Sequence, residues 1–262
     1  MGQIKAIILG VAMVLLGLIA FIVSIPVLVI SPLVPKIRYQ SNQLFMLPFG
    51  YFARWLVGIK LVILNGQRVE DNRPVVLVGN HQTGLDFAII SRACPGGSLI
   101  VAKRELIRIP IFGWFFWIAG NLLIDRSDPK SAKKQLDGAS HLLKKYSLNL
   151  AIFPEGTRSR TNAILPFKKG AFYLAVSTGL PIIPIVCSSL KGKGIWEKGE
   201  LSGGHVVVSA LEAISTLGVQ SHEVDALIER IRNLMIAEFE RVTELARAYD
   251  ERFQKKVDSC CS

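Results

Sequence analysis

The chain has 262 residues, half of them hydrophobic, with 31 Lys and Arg against 20 Asp and Glu for a formal net charge of +11. That apolar content excludes a disordered chain, and only four Cys exclude a disulfide-stapled scaffold. A mean hydropathy of +0.40 beside a basic balance argues against a soluble nucleic-acid binder and for a domain that works at a membrane with an anionic ligand or surface.

From Ala6 to Pro35 no residue is charged. Ala6 to Ile25 supplies the roughly 20 helical residues that cross a hydrocarbon core before Pro26 interrupts them. A cleavable signal has an apolar region of about 7–15 residues ending at a small-residue site, and no Ala-x-Ala follows this longer run. Residues 1–58 are therefore expected to form an N-terminal membrane-inserted helical segment, as a single span or a monotopic helical pair. Leu44 to Ile59 is a second apolar stretch, broken by Pro48 and Arg54, that suits the interface with Tyr51 and Trp55 at headgroup depth. Lys36, Arg38, Arg54 and Lys60 after the first run outnumber Lys5 before it, which puts the body of the protein on the cytoplasmic side.

Beyond Ile59, short β-rich runs alternate with helical patterns. Leu61–Leu64, Val75–Gly79, Leu99–Ala102, Leu122–Ile124, Leu150–Phe153, Ile182–Val186 and Val206–Val208 read as strands. Phe87–Arg92, Ala132–Lys145 and Gly170–Ser177 read as helices between them. The alternation predicts an α/β domain over residues 59–221, with a mixed, largely parallel sheet flanked by helices. Residues 222–262 hold an amphipathic helix and a tail. The helix, Glu223 to Lys256, carries seven basic and eight acidic residues, so it is a solvated cover or a partner surface and not a basic arm. The positive charge gathers instead between Leu99 and Gly170, with thirteen Lys or Arg against five Asp or Glu.

Two strand-to-loop junctions carry chemistry. The run Gly79-Asn80-His81-Gln82-Thr83-Gly84-Leu85-Asp86 follows the strand ending near Val78. With His81 in the turn and Asp86 in the first helical turn, the carboxylate reaches the imidazole, fixes its tautomer and leaves the other ring nitrogen as a general base. The alternative is a loop histidine with Asp86 as an ordinary helix cap. The run Phe153-Pro154-Glu155-Gly156-Thr157-Arg158-Ser159-Arg160 follows another strand. Its two Arg offer forked donors for phosphate, and Lys168 and Lys169 add cations beside a helix start. No second His or Cys stands at metal-ligand spacing, and Walker, dinucleotide and Gly-x-Ser-x-Gly motifs are absent. The four Cys show no redox or metal spacing; Cys260 and Cys261 are either an acylated pair or an unmodified tail.

These residues resemble the membrane-bound glycerolipid acyltransferase family, most closely its bacterial 1-acyl-sn-glycerol-3-phosphate acyltransferases. Four blocks stand in the family's order: Asn80-His81-x4-Asp86; Lys103-Arg104-Glu105-Leu106 through Ile109–Gly113 to Ile124-Asp125-Arg126; Phe153–Ser159; and Leu180–Ile185. The resemblance covers roughly Ile59 to Ser209. It implies transfer of an acyl group from acyl-CoA or acyl carrier protein thioester to the sn-2 hydroxyl of lysophosphatidic acid, making phosphatidic acid, with glycerol 3-phosphate or another lysophospholipid as the alternative acceptor. It further implies that His81 is the base and Asp86 its orienting acid. Lys103, Glu155, Gly156, Thr157, Arg158, Arg160 and Lys168 would then form the substrate site. No metal, cofactor or nucleic acid is implied; the partners are the two substrates and a bilayer, with the catalytic domain on the cytoplasmic side of a bacterial inner membrane. Gly84 stands where the family often has an aromatic, a departure that bears on acceptor or acyl preference. A non-catalytic anionic-lipid binder on the same fold would have lost His81 or Asp86, and both are present.

Overall fold

The structure is a computed structural model describing residues 29–261 apart from 95, 111, 126–127, 160, 194 and 198–199, together with positions 11, 15, 18, 19, 22 and 25–27. The expected Ala6–Ile25 span therefore falls largely outside the described residues. Among those described, no helix is long and apolar enough to cross a membrane. The described positions Val11, Leu15, Leu18, Ile22, Val29 and Leu33 are all exposed apolar residues.

Helix α1 (Pro35–Leu56) begins with Pro at its first turn, where a missing N–H removes nothing, and continues through Pro48. The second apolar stretch is thus the latter half of one helix. It is amphipathic in use: Met46, Ala53 and Arg54 are buried, whereas Tyr51 and Trp55 are exposed. Strand β1 (Ile59–Leu64) follows, then α2 (Gln67–Asp71), β2 (Val76–Gly79), α3 (Asp86–Ile90) and β3 (Ser98–Lys103). A short 3-10 turn (Arg104–Arg108) leads into α4 (Phe112–Ile118) and β4 (Leu122–Ile124). Next come α5 (Pro129–Tyr146), β5 (Asn149–Ile152), α6 (Gly170–Thr178) and β6 (Ile182–Cys187). A small hairpin, β7 (Ile195–Glu197) and β8 (Glu200–Ser202), precedes β9 (Gly204–Ala210) and the long α7 (Val224–Cys261). All seven expected strands and the four helices expected in the body and C-terminal segment are present. Helix α1 falls within the N-terminal segment expected to be helical, and α2 and α4 escaped the reading because their short length hid their periodicity.

The seven-stranded sheet has the order β1-β9-β6-β2-β5-β3-β4, and only the β6–β9 pairing is antiparallel. Parallel strands need cover on both faces, which is why β2 and β6 are buried along their whole length and read as unbroken apolar runs. The pleat sends Val76, Val78, Leu99, Leu150 and Val207 to one face, against Leu136 and Leu143 of α5, Phe172 of α6 and Ile231 and Met235 of α7. It sends Leu77, Ile100, Ile183, Ile185 and Val208 to the other, against Met46 of α1, Ile89 of α3 and Phe115 and Phe116 of α4. Helix α7 is therefore the cover of the first face and shares its core.

Helix ends follow local chemistry. Asp128 caps α5 by accepting from the backbone N–H groups of Lys130 and Ser131, both at 3.0 Å, and Gly179 closes α6 at φ +72°. Buried amides couple α1 to the sheet edge. Asn42 and Asn121 exchange reciprocal bonds of 2.8 and 2.7 Å, and the Asn121 oxygen also accepts from the Ile100 N–H at 2.9 Å. Because β2, β5, β3 and β6 run the same way, their C-terminal ends converge on one edge, where the loops carrying His81, Lys103 and Phe153–Arg158 emerge.

Candidate active site

His81 leaves the C-terminal end of β2 and Asp86 opens α3, so the strand-to-helix turn folds one onto the other. His81 Nδ1 lies 2.6 Å from Asp86 Oδ2. The same Oδ2 accepts from the Gln82 N–H at 2.6 Å and the Thr83 N–H at 2.9 Å. The carboxylate ties down the turn that precedes it and orients the ring; its backbone donors lie before α3, so these are turn bonds and not a helix cap. Asp86 is fully buried and His81 nearly so, at 0% and 8% exposure. A carboxylate so placed makes Nδ1 the protonated nitrogen and leaves Nε2 as the basic one. The imidazole stacks on Phe153 at a centroid distance of 4.4 Å and an interplanar angle of 15°.

Glu155 stands behind this pair. It is 4% exposed; its Oε1 accepts from the His81 backbone N–H at 2.8 Å and its Oε2 from the Leu165 N–H at 2.9 Å. Burial pushes its carboxyl above the usual range, against the lowering effect of those two backbone bonds. The His81 carbonyl in turn accepts from Ser159 N–H at 2.8 Å. The Glu155 loop thus grips the His81 backbone from both sides.

The remaining candidate residues distribute around this centre. Gly156 adopts φ +69°, and a Cβ there would lie 2.6 Å from Cε of Lys168, so the lysine stem runs across the glycine. Thr157, Arg158 and Lys168 are exposed on the same loop edge. Lys103 is exposed at the end of β3, two strands from β2. Arg160 lies outside the described residues. A cleft of about 710 Å³ opens at Phe153, the ring stacked on His81, and is lined further by Ile152, Pro154, Gly156, Lys168 and the facing sides of α5 and α6. A small apolar slot of about 30 Å³ that also touches Phe153 is lined by Met46, Leu77, Ile90, Cys94 and Ile185. Of the Leu180–Ile185 block, Ile182–Ile185 is buried core of β6, with Ile185 also touching that slot, and Leu180-Pro181 lead into the strand. The Trp114–Trp117 run splits by helical phase: Phe115 and Phe116 are core, and Trp114 and Trp117 are about half exposed.

Three side chains that the sequence reading left without a role complete the frame. Asn80 donates to the Cys187 carbonyl at 3.0 Å and accepts from the Cys187 N–H at 2.8 Å, joining the ends of β2 and β6. Gln82 donates to the Ser188 carbonyl at 3.0 Å and accepts from the Leu190 N–H at 2.9 Å. Phe153 supplies the stacking face. Only their place beside His81 and Glu155 in sequence could have flagged them.

A family model described as acyltransferase matches residues 61–188 of this chain. The chain is 30% identical over 235 residues to the 1-acyl-sn-glycerol-3-phosphate acyltransferase alpha of Ovis aries, an alignment covering 90% of this chain and 82% of that protein. It is 34% identical over 197 residues to the 1-acyl-sn-glycerol-3-phosphate acyltransferase of Haemophilus influenzae, covering 71% and 79% respectively. Among solved structures, the fold superposes on the 1-acyl-sn-glycerophosphate (LPA) acyltransferase PlsC from Thermotoga maritima with a TM-score of 0.68 at 21% identity, covering 92% of this chain and 98% of that one.

Proposed function

The chain belongs to the 1-acyl-sn-glycerol-3-phosphate acyltransferase family, and on that premise we propose that it moves an acyl group from a CoA or acyl carrier protein thioester onto the sn-2 hydroxyl of lysophosphatidic acid, forming phosphatidic acid. The observation that carries this reading is the buried His81–Asp86 pair at 2.6 Å, with Nδ1 committed to the carboxylate. His81 Nε2 accepts the proton of the sn-2 hydroxyl as its oxygen attacks the thioester carbonyl. The C–O bond forms, the C–S bond breaks, and the imidazolium returns its proton to the departing thiolate. Asp86 stabilises the charge that appears on the imidazole during attack, where burial strengthens the interaction. The reaction needs no cofactor beyond the thioester itself.

Glu155 and Ser159 act through the backbone of His81 and Phe153 through its ring, so each is a positioning residue. Arg158, Lys168 and Lys103 present cations on the same edge for the acceptor phosphate, Arg158 with the forked geometry that a phosphate favours. Arg160 belongs with them by sequence, and Gly156 and Thr157 shape the loop. A bilayer location is supported by the exposed Leu33, Val34, Tyr51 and Trp55 of the N-terminal segment and by Trp114 and Trp117 of α4. The domain layout that fits is an anchor over 1–58, a catalytic body over 59–221 and a C-terminal helix that completes the body.

The test is release of CoA thiol by the purified protein with acyl-CoA and lysophosphatidic acid, with phosphatidic acid identified by mass spectrometry and glycerol 3-phosphate as the competing acceptor. His81→Ala is expected to lower kcat by about 10²–10⁴-fold. Wild-type turnover in that variant would remove His81 from the chemistry.

A further inference from the structure

A second polar cleft, of about 500 Å³, lies away from the His81 pair where β1, β9 and the last turns of α7 meet. Three lysines line it: Lys60 on β1, and Lys191 and Lys193 in the segment leaving β6. Backbone supplies much of the remaining wall, through Gly58, Gly192, Gly203 and Gly204. A single carboxylate, Asp250 of α7, faces them. Its Oδ1 accepts from both the backbone N–H and Nδ1 of His205, at 2.7 and 2.8 Å, and its Oδ2 pairs with Lys193 at 2.9 Å. Lys193 also donates to the His205 carbonyl. Asp250 is thus consumed in fixing Lys193 and His205. Lys60 and Lys191 are both exposed and have no ion-pair partner among the described residues. Lys60 holds its ammonium 3.0 Å from the ring centre of Phe253, a half-exposed aromatic on the rim.

Strand register places this cleft relative to the reacting centre. Gly79 is level with Ile185, and Cys187 with Val208, so His81 stands about level with Val208. His205 lies three residues farther out along β9, which is two strands across from β2, and Lys60 is level with it on β1. At about 3.3 Å per residue and about 4.8 Å per strand, His81 and His205 are roughly 14 Å apart on one edge of the sheet. The chain from Ser188 to Lys193, held to the active-site turn by Gln82, runs between them.

We propose that this cleft binds the phosphorylated nucleotide end of acyl-CoA, with Lys60 and Lys191 meeting its phosphates and Lys193 and His205 forming the fixed wall. The inference rests on the acyl-transfer reading and adds the donor's identity to it. The chemistry selects this ligand on three grounds. The lining is Lys, His, Gly, Asp and Gln with Phe253 as its one large apolar side chain, so a lipid tail finds nothing to bury against, whereas phosphates meet uncompensated ammonium groups. The volume, about 500 Å³, suits a small-molecule ligand. The separation from His81 is one that a pantetheine arm bridges while its thioester reaches the base.

The experiment compares the full chain with a Lys60→Gln, Lys191→Gln double variant, both exposed positions whose loss leaves the core intact. Free CoA binding is measured by calorimetry, and acyl transfer is measured with acyl-CoA, with an S-acyl pantetheine lacking the nucleotide and with acyl carrier protein thioester. The double variant is expected to weaken CoA binding and raise the acyl-CoA KM about tenfold, as two exposed charge pairs would. That difference should shrink near about 1 M salt, where the Debye length is about 3 Å. The S-acyl pantetheine KM should be the same in both proteins. Unchanged CoA affinity, an equal rise for S-acyl pantetheine, or a rise confined to the carrier-protein donor would each overturn the proposal. Loss of binding to anionic vesicles with CoA binding intact would assign the cleft to lipid headgroups and overturn it too. Because CoA binding is read without turnover, failure of this site and failure of the acyltransferase reading give different results.

Discussion

Glu155→Gln tests how the site is held together. The Glu155 carboxylate accepts two backbone bonds at once, from His81 at 2.8 Å and Leu165 at 2.9 Å, while 96% shielded from solvent by its 4% exposure. A glutamine is almost the same shape but has one accepting atom. Whichever way the amide turns, one of the two backbone N–H groups then faces an NH₂ group. A buried donor left unpaired costs about 1–3 kcal/mol. Directed at His81, that loss displaces the base and lowers kcat by about fivefold to 150-fold. Directed at Leu165, it appears as a lower Tm. Since the side chain does not reach the acceptor, KM for lysophosphatidic acid stays near the wild-type value. Steady-state thiol release together with a thermal melt reads all three quantities. A raised KM with kcat and Tm unchanged would refute the reasoning, because it would mean Glu155 touches substrate. There is also a pH signature. Burial holds this carboxyl above its usual range, so the stability it contributes is full below the ordinary glutamate pKa and is lost as pH rises through the raised one. In the glutamine variant that slope should vanish.

Asp86→Asn keeps an oxygen for the Gln82 and Thr83 N–H groups but removes the charge opposite His81 Nδ1; kcat should drop about tenfold to hundredfold with little change in Tm. Wild-type kcat would show that the imidazole needs no carboxylate. Gly156→Ala forces a side chain into φ +69°, a strain of about 1–2 kcal/mol, and pushes Lys168 aside. A lower Tm and a higher acceptor KM are expected, and an unchanged KM would detach Lys168 from phosphate binding. At Asp250, burial raises the carboxyl, but bonds from His205 and Lys193 outweigh it and hold the group below its usual range. Its contribution to stability is therefore present above the ordinary aspartate pKa and lost as pH falls through the depressed one. Melts across pH 3–6 should show a shallower acid limb in Asp250→Asn, and superimposable curves would dismiss the cluster as a stabilising latch.

Much of this was legible before any coordinates. The strands announced themselves because a sheet buried on both faces requires unbroken apolar, β-branched runs, and Val75–Gly79 and Ile182–Val186 are such runs. Helix α5 reads as starting at Ala132, and its true start three residues earlier is marked by the Asp128 cap and Pro129. The His81 and Asp86 pairing was also readable, since a five-residue step across a strand-to-helix turn is a local matter. The interfacial stretch was harder: Pro48 and Arg54 break its apolar run, yet packing of α1 on α3 and β1 carries the helix through both.

What the sequence determined, then, is whatever local spacing controls: the element pattern, the histidine–carboxylate pair and the four ordered blocks. What only tertiary structure decided depends on side chains far apart in the chain. Glu155, which the resemblance put in the substrate site, is set by the fold against the backbone of His81, 74 positions away. His205 and Asp250, separated by 45 residues, carry no motif at all; they meet because α7 crosses the end of β9. Lys60 and Lys191 join them because β1 lies beside β9, and the chain leaving β6 turns back over the same edge. Hydrophobic periodicity records which face of an element is buried, but not which other element it is buried against. The buried supports of the base, and the second basic cleft, follow from that second choice.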